Sequence, residues 1–431
     1  MGELETRTMS KVAWRLVPFL MVCYFIAYLD RVNIGFAGAS MRQDLGLSAG
    51  AFGGAAGIFF IAYFFCEVPS NLALDRFGAR LWIARIMFTW GLVAGAQAFV
   101  GGEFSLKSIR FLLGVAEAGF FPGIIFFLTL WFPASYRARI VGLFMFAIPI
   151  STVIGAPISG LILNLDGWLG LRGWQWMFIL EALPALLMSV AVYFYLTDRP
   201  RDAHWLTAEE SGWLQGRLDA ERATREREGA ASWLRSILDP RVIALGFVYM
   251  GCNIPQYGLS FFLPQIVKAF GGLSNFQVGL VTALPYAVGA IGMILWSRNS
   301  DATGERKWHT IFPLIVIAAG LLLAAHSDDP TQKMAFLCIA GFGFFSVLPV
   351  FWTLPTSFLS GAGAAAGIAA VNSIGNLGGY FGPQVFGWLK DSTGDNTAGM
   401  GFLAACALIG AGIVLVLGHD PELEQPMEAR V

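Results

Sequence analysis

The chain has 431 residues, of which 56% belong to the AVILMFWYC set and only 13% are charged, and its mean hydropathy is +0.64. An average globular chain carries roughly 25% charged residues, so about half the usual solvating surface is missing. Twenty-eight Lys and Arg against 29 Asp and Glu leave a net charge of −1, which supplies no field for nucleic acid. Cys23, Cys66, Cys252, Cys338 and Cys406 stand in apolar stretches without CxxC or disulfide-framework spacing, and read as buried thiols. His204, His309, His326 and His419 have no ligand spacing, so neither a metal nor another cofactor is implied. The composition is that of an integral membrane protein.

A helix needs about 20 mostly apolar residues to cross ~30 Å of hydrocarbon. Twelve such runs are found, at 12–36, 51–74, 81–102, 108–132, 139–164, 175–197, 241–267, 276–297, 309–326, 334–354, 361–388 and 397–418. Several are dense in glycine, which suits close packing of membrane helices. A closed β-barrel is excluded, because unbroken apolar runs replace alternation. The first run is too long for a signal-peptide core, and eleven others follow it. The fold class is therefore all-α, with twelve transmembrane helices.

The long polar segment 198–240 divides the chain into an N-terminal bundle, 1–197, and a C-terminal bundle with a short tail, 241–431. Between Ala208 and Glu228 it has helix formers and mixed charge, so a surface helix is expected within a solvated linker. Segments on the N-terminal side of the membrane hold eighteen Lys or Arg, and those on the other side hold six. The excess predicts that both termini and the central loop are cytoplasmic.

The loop after span two reads Asp75-Arg76-Phe77-Gly78-Ala79-Arg80, and the loop after span eight reads Asp301-Ala302-Thr303-Gly304-Glu305-Arg306. Both place Asp, Gly and Arg at offsets 0, +3 and +5. Glycine permits the tight turn, and the acid and the arginine can pair across helix ends. Two matches at equivalent places mark an internal repeat with a gating or structural role.

These residues carry a resemblance. The chain resembles the major facilitator superfamily, whose hallmark loop between spans two and three is of the type seen at Asp75–Arg80. It resembles most the anion:cation symporter branch, which includes bacterial galactonate, tartrate and phthalate permeases and the vesicular glutamate and sialic acid carriers. Tyr28-Leu29-Asp30-Arg31-Val32-Asn33 in span one and the stretch from Arg110 through Glu117 to Gly119 in span four carry this closer likeness. Phe351 to Pro355 and Gly367 to Gly379 add to it. The resemblance implies two six-helix bundles around a central cavity that opens alternately to each side. It implies a small organic anion and protons as partners, in a bacterial inner membrane. A functional monomer is expected.

Charges inside a bilayer cost at least ~2.5–3.5 kcal/mol each at a helix centre, so each calls for a reason. Asp30, Arg31, Arg110 and Glu117 converge in the first bundle, with Glu117 seven residues beyond Arg110 on one helix face. One reading is mutual neutralisation, as Asp30–Arg110 and Arg31–Glu117 pairs. The other is that arginines hold an anionic substrate, for which the guanidinium fork is suited, while carboxylates take up protons. The resemblance implies the second: Asp30 and Glu117 as proton-coupling residues, Arg31 and Arg110 as substrate contacts.

Further candidates for the substrate site are Tyr63 in span two, Asn253, Gln256 and Tyr257 on one face of span seven, and Asn372 and Asn376 at i, i+4 in span eleven. Each has an alternative as packing or interhelical glue. Trp352 and Thr353 read as membrane-interface residues, and Glu67 as part of a network with Asp75. The expected function is proton-coupled uptake of an organic carboxylate, such as a sugar acid, a hydroxy-diacid or an aromatic acid. Gly155-Ala156-Pro157-Ile158-Ser159-Gly160 partly matches the pattern of drug exporters, which keeps exchange or export as the alternative. No Ser-His-Asp, Cys-His or phosphate-loop pattern supports an enzyme. No sizeable soluble domain supports a sensor.

Overall fold

A computed structural model describes residues 2–227, 237–358 and 361–417. His419 and the end of the C-terminal tail lie outside the described residues. Among these residues every regular element is a helix.

The first bundle contains Glu3–Val32, which continues after Asn33 as Ile34–Leu45; Ala49–Phe77; Ala79–Ala96; Glu103–Glu117 followed by Phe120–Thr129; Ala134–Met145 followed by Ala147–Ile162; and Gly173–Tyr195. The second contains Pro240–Lys268; Asn275–Thr303; Lys307–Ala325; Pro330–Phe351 followed by Thr353–Phe358; Gly361–Asn376 followed by Gly378–Thr393; and Thr397–Val416. In chain order these are spans one to twelve. Ten of them are long and apolar enough to cross a membrane. The other two, spans three and eleven, are diluted by Arg80 and Arg85, and by the break at Leu377 with its flanking amides.

Most helices outrun the apolar stretches that announce them, because a helix does not stop at the hydrocarbon boundary. Span one begins nine residues early, at Glu3. That extension has a partner in the helix Ala208–Arg227 of the central loop. Lys11 Nζ bonds Glu210 at 2.9 Å, Arg7 lies 3.4 Å from the same carboxylate, and Arg137 bonds Glu221 at 2.9 Å. Thr207 and Glu210 form a reciprocal cap at its start: Thr207 N–H donates to the carboxylate at 2.9 Å, and Glu210 N–H donates to Thr207 Oγ1 at 3.2 Å. The described part of the central segment up to Arg227 is thus docked on the first bundle rather than a free linker.

The bundles meet through spans two and eleven, five and eight, and one and seven. Their close backbone approaches, Gly53 on Pro383, Gly160 on Asn275 and Gly35 on Ser260, lie towards the end opposite the central loop. A methyl group on Gly53 would stand 2.1 Å from Pro383 O, so only glycine lets these backbones approach so closely. Across the same contact Asp391 caps span two, accepting from Ala49 N–H at 2.8 Å and Gly50 N–H at 2.6 Å.

The two signature loops differ. In the second, Arg306 pairs with Asp301 at 2.7 Å and Gly304 takes φ +70°. In the first, Gly78 takes φ +90°, but Asp75 is exposed, and the Arg80 guanidinium lies over the Tyr193 ring at 5.3 Å. Arg80 N–H instead donates to Asp198 of the central segment at 2.8 Å.

Candidate functional site: a cavity between the bundles

Spans one, two and seven present one stripe each towards the gap between the bundles. Tyr24, Tyr28 and Arg31 recur at i, i+4, i+7 on span one, and Phe59 and Tyr63 at i, i+4 on span two. On span seven the stripe is Tyr249, Asn253, Gln256 and Tyr257. Together they line a cavity, completed from span eleven by Asn372 and Asn376. Of the expected substrate residues, Arg31, Tyr63, Asn253, Gln256, Tyr257, Asn372 and Asn376 all reach this cavity. Tyr24, Tyr28, Phe59 and Tyr249 were missed, although extending each polar face by one or two turns finds them.

Arg31 brings a cation to the lining. Its Nη2 forms a buried ion pair with Glu117 Oε1. Its guanidinium lies over the rings of Phe59, at 5.3 Å, and Tyr63, at 5.6 Å, a cation–π arrangement that offsets desolvation. Glu117 sits where span four breaks. Ala118 turns out of helical geometry at ψ 132°, and Gly119 takes φ +85°. A Cβ on Gly119 would also stand 2.4 Å from Ser70 Oγ of span two, so the position requires glycine twice over. Broken helices of this kind expose backbone groups beside a buried charge, a setting found in membrane ion and substrate sites.

The remaining charges lie behind the lining. Arg110 is fully buried and does not line the cavity. Its Nη2 donates to Ala56 O at 3.0 Å, its Nε and Nη1 have no hydrogen-bond partner among the described residues, and it lies 5.3 Å from the Phe59 ring centroid. Asp30 Oδ2 accepts from Trp90 Nε1 at 2.7 Å and its Oδ1 has no partner. The Arg31–Glu117 pair of the neutralisation scheme therefore forms, whereas Asp30 is held by an indole. Unpartnered buried polar atoms are costly, and here they cluster: Asp30 Oδ1, Arg31 Nε, Arg110 Nε and Nη1, and Glu117 Oε2.

Two amides cross between helices. Asn253 Nδ2 donates to Gly375 O at 3.0 Å, and Gln256 Nε2 donates to Tyr28 OH of the other bundle at 3.3 Å. Glu67 differs from expectation. It does not join Asp75 but accepts from Asn372 Nδ2 at 3.0 Å across the bundles. Trp352 is half-buried, its ring edge-on to Tyr249 at 4.9 Å, so it is a packing residue beside the cavity rather than an interface anchor.

The family pattern described as Major Facilitator Superfamily matches residues 20–383. A protein of Agrobacterium vitis named "Putative tartrate transporter" is 52% identical over 97% of this chain and 93% of its own length. A "Quinolone resistance transporter" of Acinetobacter baumannii is 42% identical over 95% of this chain and 94% of its own. Among solved structures, the inward open conformation of the xylose transporter XylE from E. coli superposes with a TM-score of 0.75 at 16% identity, over 97% of this chain and 99% of that one. Twelve helical spans in two bundles, a polar cavity between them and this extent of matching lead to one assignment: the chain is a multi-pass membrane protein belonging to the major facilitator superfamily of transporters, not an enzyme.

Proposed function

We propose that the chain is a secondary active transporter that takes up a small hydroxylated carboxylate together with protons, by alternating access. The supporting observation is the buried Arg31–Glu117 pair at the edge of an otherwise neutral cavity rich in amide and tyrosine side chains. A substrate carboxylate competes with Glu117 for the Arg31 guanidinium. A proton on Glu117 releases Arg31 to the substrate, and loss of the substrate returns Arg31 to the carboxylate. Binding of anion and proton is thereby linked at one arginine. Asp30, with one oxygen unpartnered, takes a second proton, and Arg110 balances the cluster from behind Phe59. The asparagines, Gln256 and the tyrosines supply hydrogen bonds for hydroxyl groups.

The relative named for tartrate favours a hydroxy-diacid within this class. The bacterial relatives favour an inner membrane, and the Lys and Arg distribution favours both termini in the cytoplasm. In that orientation the bundles are closed at the external end. The test is uptake of labelled tartrate into vesicles containing the purified chain. A pH gradient, acid outside, should drive accumulation, and a proton ionophore should abolish it.

A second reading, export of an anionic drug, is favoured by the relative named for quinolone resistance. Quinolones carry a carboxylate, which the same arginine would hold. The same vesicles decide between the two. Quinolone flux out of the more acidic compartment supports uptake-type symport, and flux into it supports export by exchange.

A further inference from the structure

Glu67 stands one turn beyond Tyr63 on the same face of span two and is only 4% exposed. Its Oε1 accepts from Asn372 Nδ2 at 3.0 Å, and its Oε2 is buried without a hydrogen-bond partner among the described residues. A carboxylate can only accept, so the Asn372 atom turned towards it is the amide nitrogen. That choice commits the other end of the amide. With one Nδ2 hydrogen held by Glu67, the orientation of the amide is set, and Asn372, which lines the cavity, keeps Oδ1 as an acceptor. An amide oxygen accepts from a hydroxyl and repels a carboxylate.

We propose that Glu67 is a positioning residue that determines specificity: across the gap between the bundles it fixes the Asn372 amide as an acceptor for a substrate hydroxyl. The inference rests on the uptake reading above and adds what that reading lacks, a reason why Asn372 accepts from a hydroxyl rather than donating to the carboxylate. The division of labour follows from position. Arg31 on span one recognises charge, and Asn372 on span eleven recognises a hydroxyl. Glu67 hydrogen-bonds the second of these and sets its polarity. A site built to bond a hydroxyl discriminates strongly against an analogue without one, because its own buried group is left unpaired.

The experiment compares tartrate, malate and succinate, which carry two, one and no hydroxyls, as substrates of the full chain in vesicles. Glu67→Gln presents either an oxygen or a nitrogen to Asn372 and so releases the amide to turn. The expected result is a KM for tartrate raised about tenfold, the worth of one hydrogen bond. The rise should be smaller for malate and least for succinate, with maximal rates nearly kept. Asn372→Ala should lose the same preference, and the double variant should be no worse than Asn372→Ala alone, since the two act as one unit. An unchanged tartrate-to-succinate preference in Glu67→Gln would overturn the inference. So would equal losses for all three anions, which mark a purely structural role, or additive losses in the double variant. Failure of the unsubstituted chain to take up any of the three overturns the uptake reading and this inference with it.

Discussion

Arg31 and Glu117 form a buried ion pair in which the arginine lines the cavity and the carboxylate sits at a helix break behind it. The pair leaves Glu117 Oε2 and Arg31 Nε unpartnered. It is therefore not the fully satisfied bridge that a structural role favours, because a half-satisfied buried pair is worse for stability than an apolar one. Its arrangement suits exchange of partners.

Replacing Arg31 by alanine removes the cavity's guanidinium and leaves Glu117 without its cation. Charge-assisted hydrogen bonds are worth about 1.5–3 kcal/mol, so the dissociation constant for the anion should rise roughly ten- to hundredfold. Arg31→Lys should recover little, since a point charge does not reproduce the fork and stacks less well on Phe59 and Tyr63. Arg110→Ala acts at one remove and should weaken binding less. Calorimetric titration of the solubilised protein measures all three. Wild-type affinity in Arg31→Ala would remove the arginine from the site.

The central-loop helix should undock in acid. Lys11 and the Thr207 N–H hold the Glu210 carboxyl below its usual value of 4.5. A carboxylate with a lowered folded value contributes stability that is present above 4.5 and is lost as the pH falls through the lowered value. Protection against hydrogen exchange across Ala208–Arg227, taken relative to the unfolded chain at the same pH, should therefore be high at neutral pH and fall only well into acid. Lys11→Ala should move that onset upward, towards 4.5. An onset that ignores Lys11 would show that the ion pair does not hold the helix.

The cavity was largely legible because polar groups are expensive in a bilayer. Arg31, Tyr63, Asn253, Gln256, Tyr257, Asn372 and Asn376 each interrupt an apolar run, and helical periodicity gathers them onto faces. Partners contributed by another helix were not legible. Nothing near Asp30 in sequence points to Trp90, and nothing near Glu67 points to Asn372, 305 residues away. Depth was only half read. The spacing of Arg110 and Glu117 gives a common face, but Phe59, which lines the cavity with Arg110 5.3 Å from its ring centroid, comes from span two. The break after Glu117 escaped because Gly119 lies among many membrane glycines, and only its φ and its contact with Ser70 set it apart.

A cysteine placed at Ala223, exposed on the central-loop helix, should react with a membrane-impermeant thiol reagent only when the cytoplasmic face is accessible. Labelling of intact cells from outside would reverse the orientation drawn from the Lys and Arg distribution. The five native cysteines give the background, to be measured first in the unsubstituted chain.

Asp391→Asn should loosen the end of the molecule opposite the central loop. The carboxylate satisfies two backbone N–H groups at the start of span two, where a negative charge also meets the positive end of the helix dipole. Asparagine keeps only one of the two acceptor oxygens and no charge, which costs about 1 kcal/mol, enough to shift a two-state equilibrium roughly fivefold. Gln384, which packs on Gly54 in this contact, is the reporter position. Thiol labelling of Gln384→Cys should quicken about fivefold when Asp391→Asn is added. An unchanged rate would mean that the glycine-mediated backbone contacts alone close this end.

Glu117→Gln tests coupling most directly. Glutamine has nearly the same shape, and its amide oxygen can still accept from Arg31, so the fold and the cavity should survive. The side chain then resembles a carboxyl that never loses its proton. In that state Arg31 is free to take the anion, so the variant should bind substrate at least as well as the wild type. It should also exchange labelled for unlabelled anion across the membrane, because the loaded carrier changes conformation without a proton having to leave. Net transport is different. After releasing substrate, the carrier must return Arg31 to a carboxylate and discharge the proton, and glutamine permits neither. Concentrative uptake driven by a pH gradient should therefore vanish while counterflow persists, with both read in the same vesicle preparation. Asp30→Asn should impair uptake less, since Trp90 rather than an arginine holds that carboxylate. Wild-type accumulation by Glu117→Gln would place the proton pathway elsewhere, with Asp30 and Glu67 the next buried carboxyls to substitute.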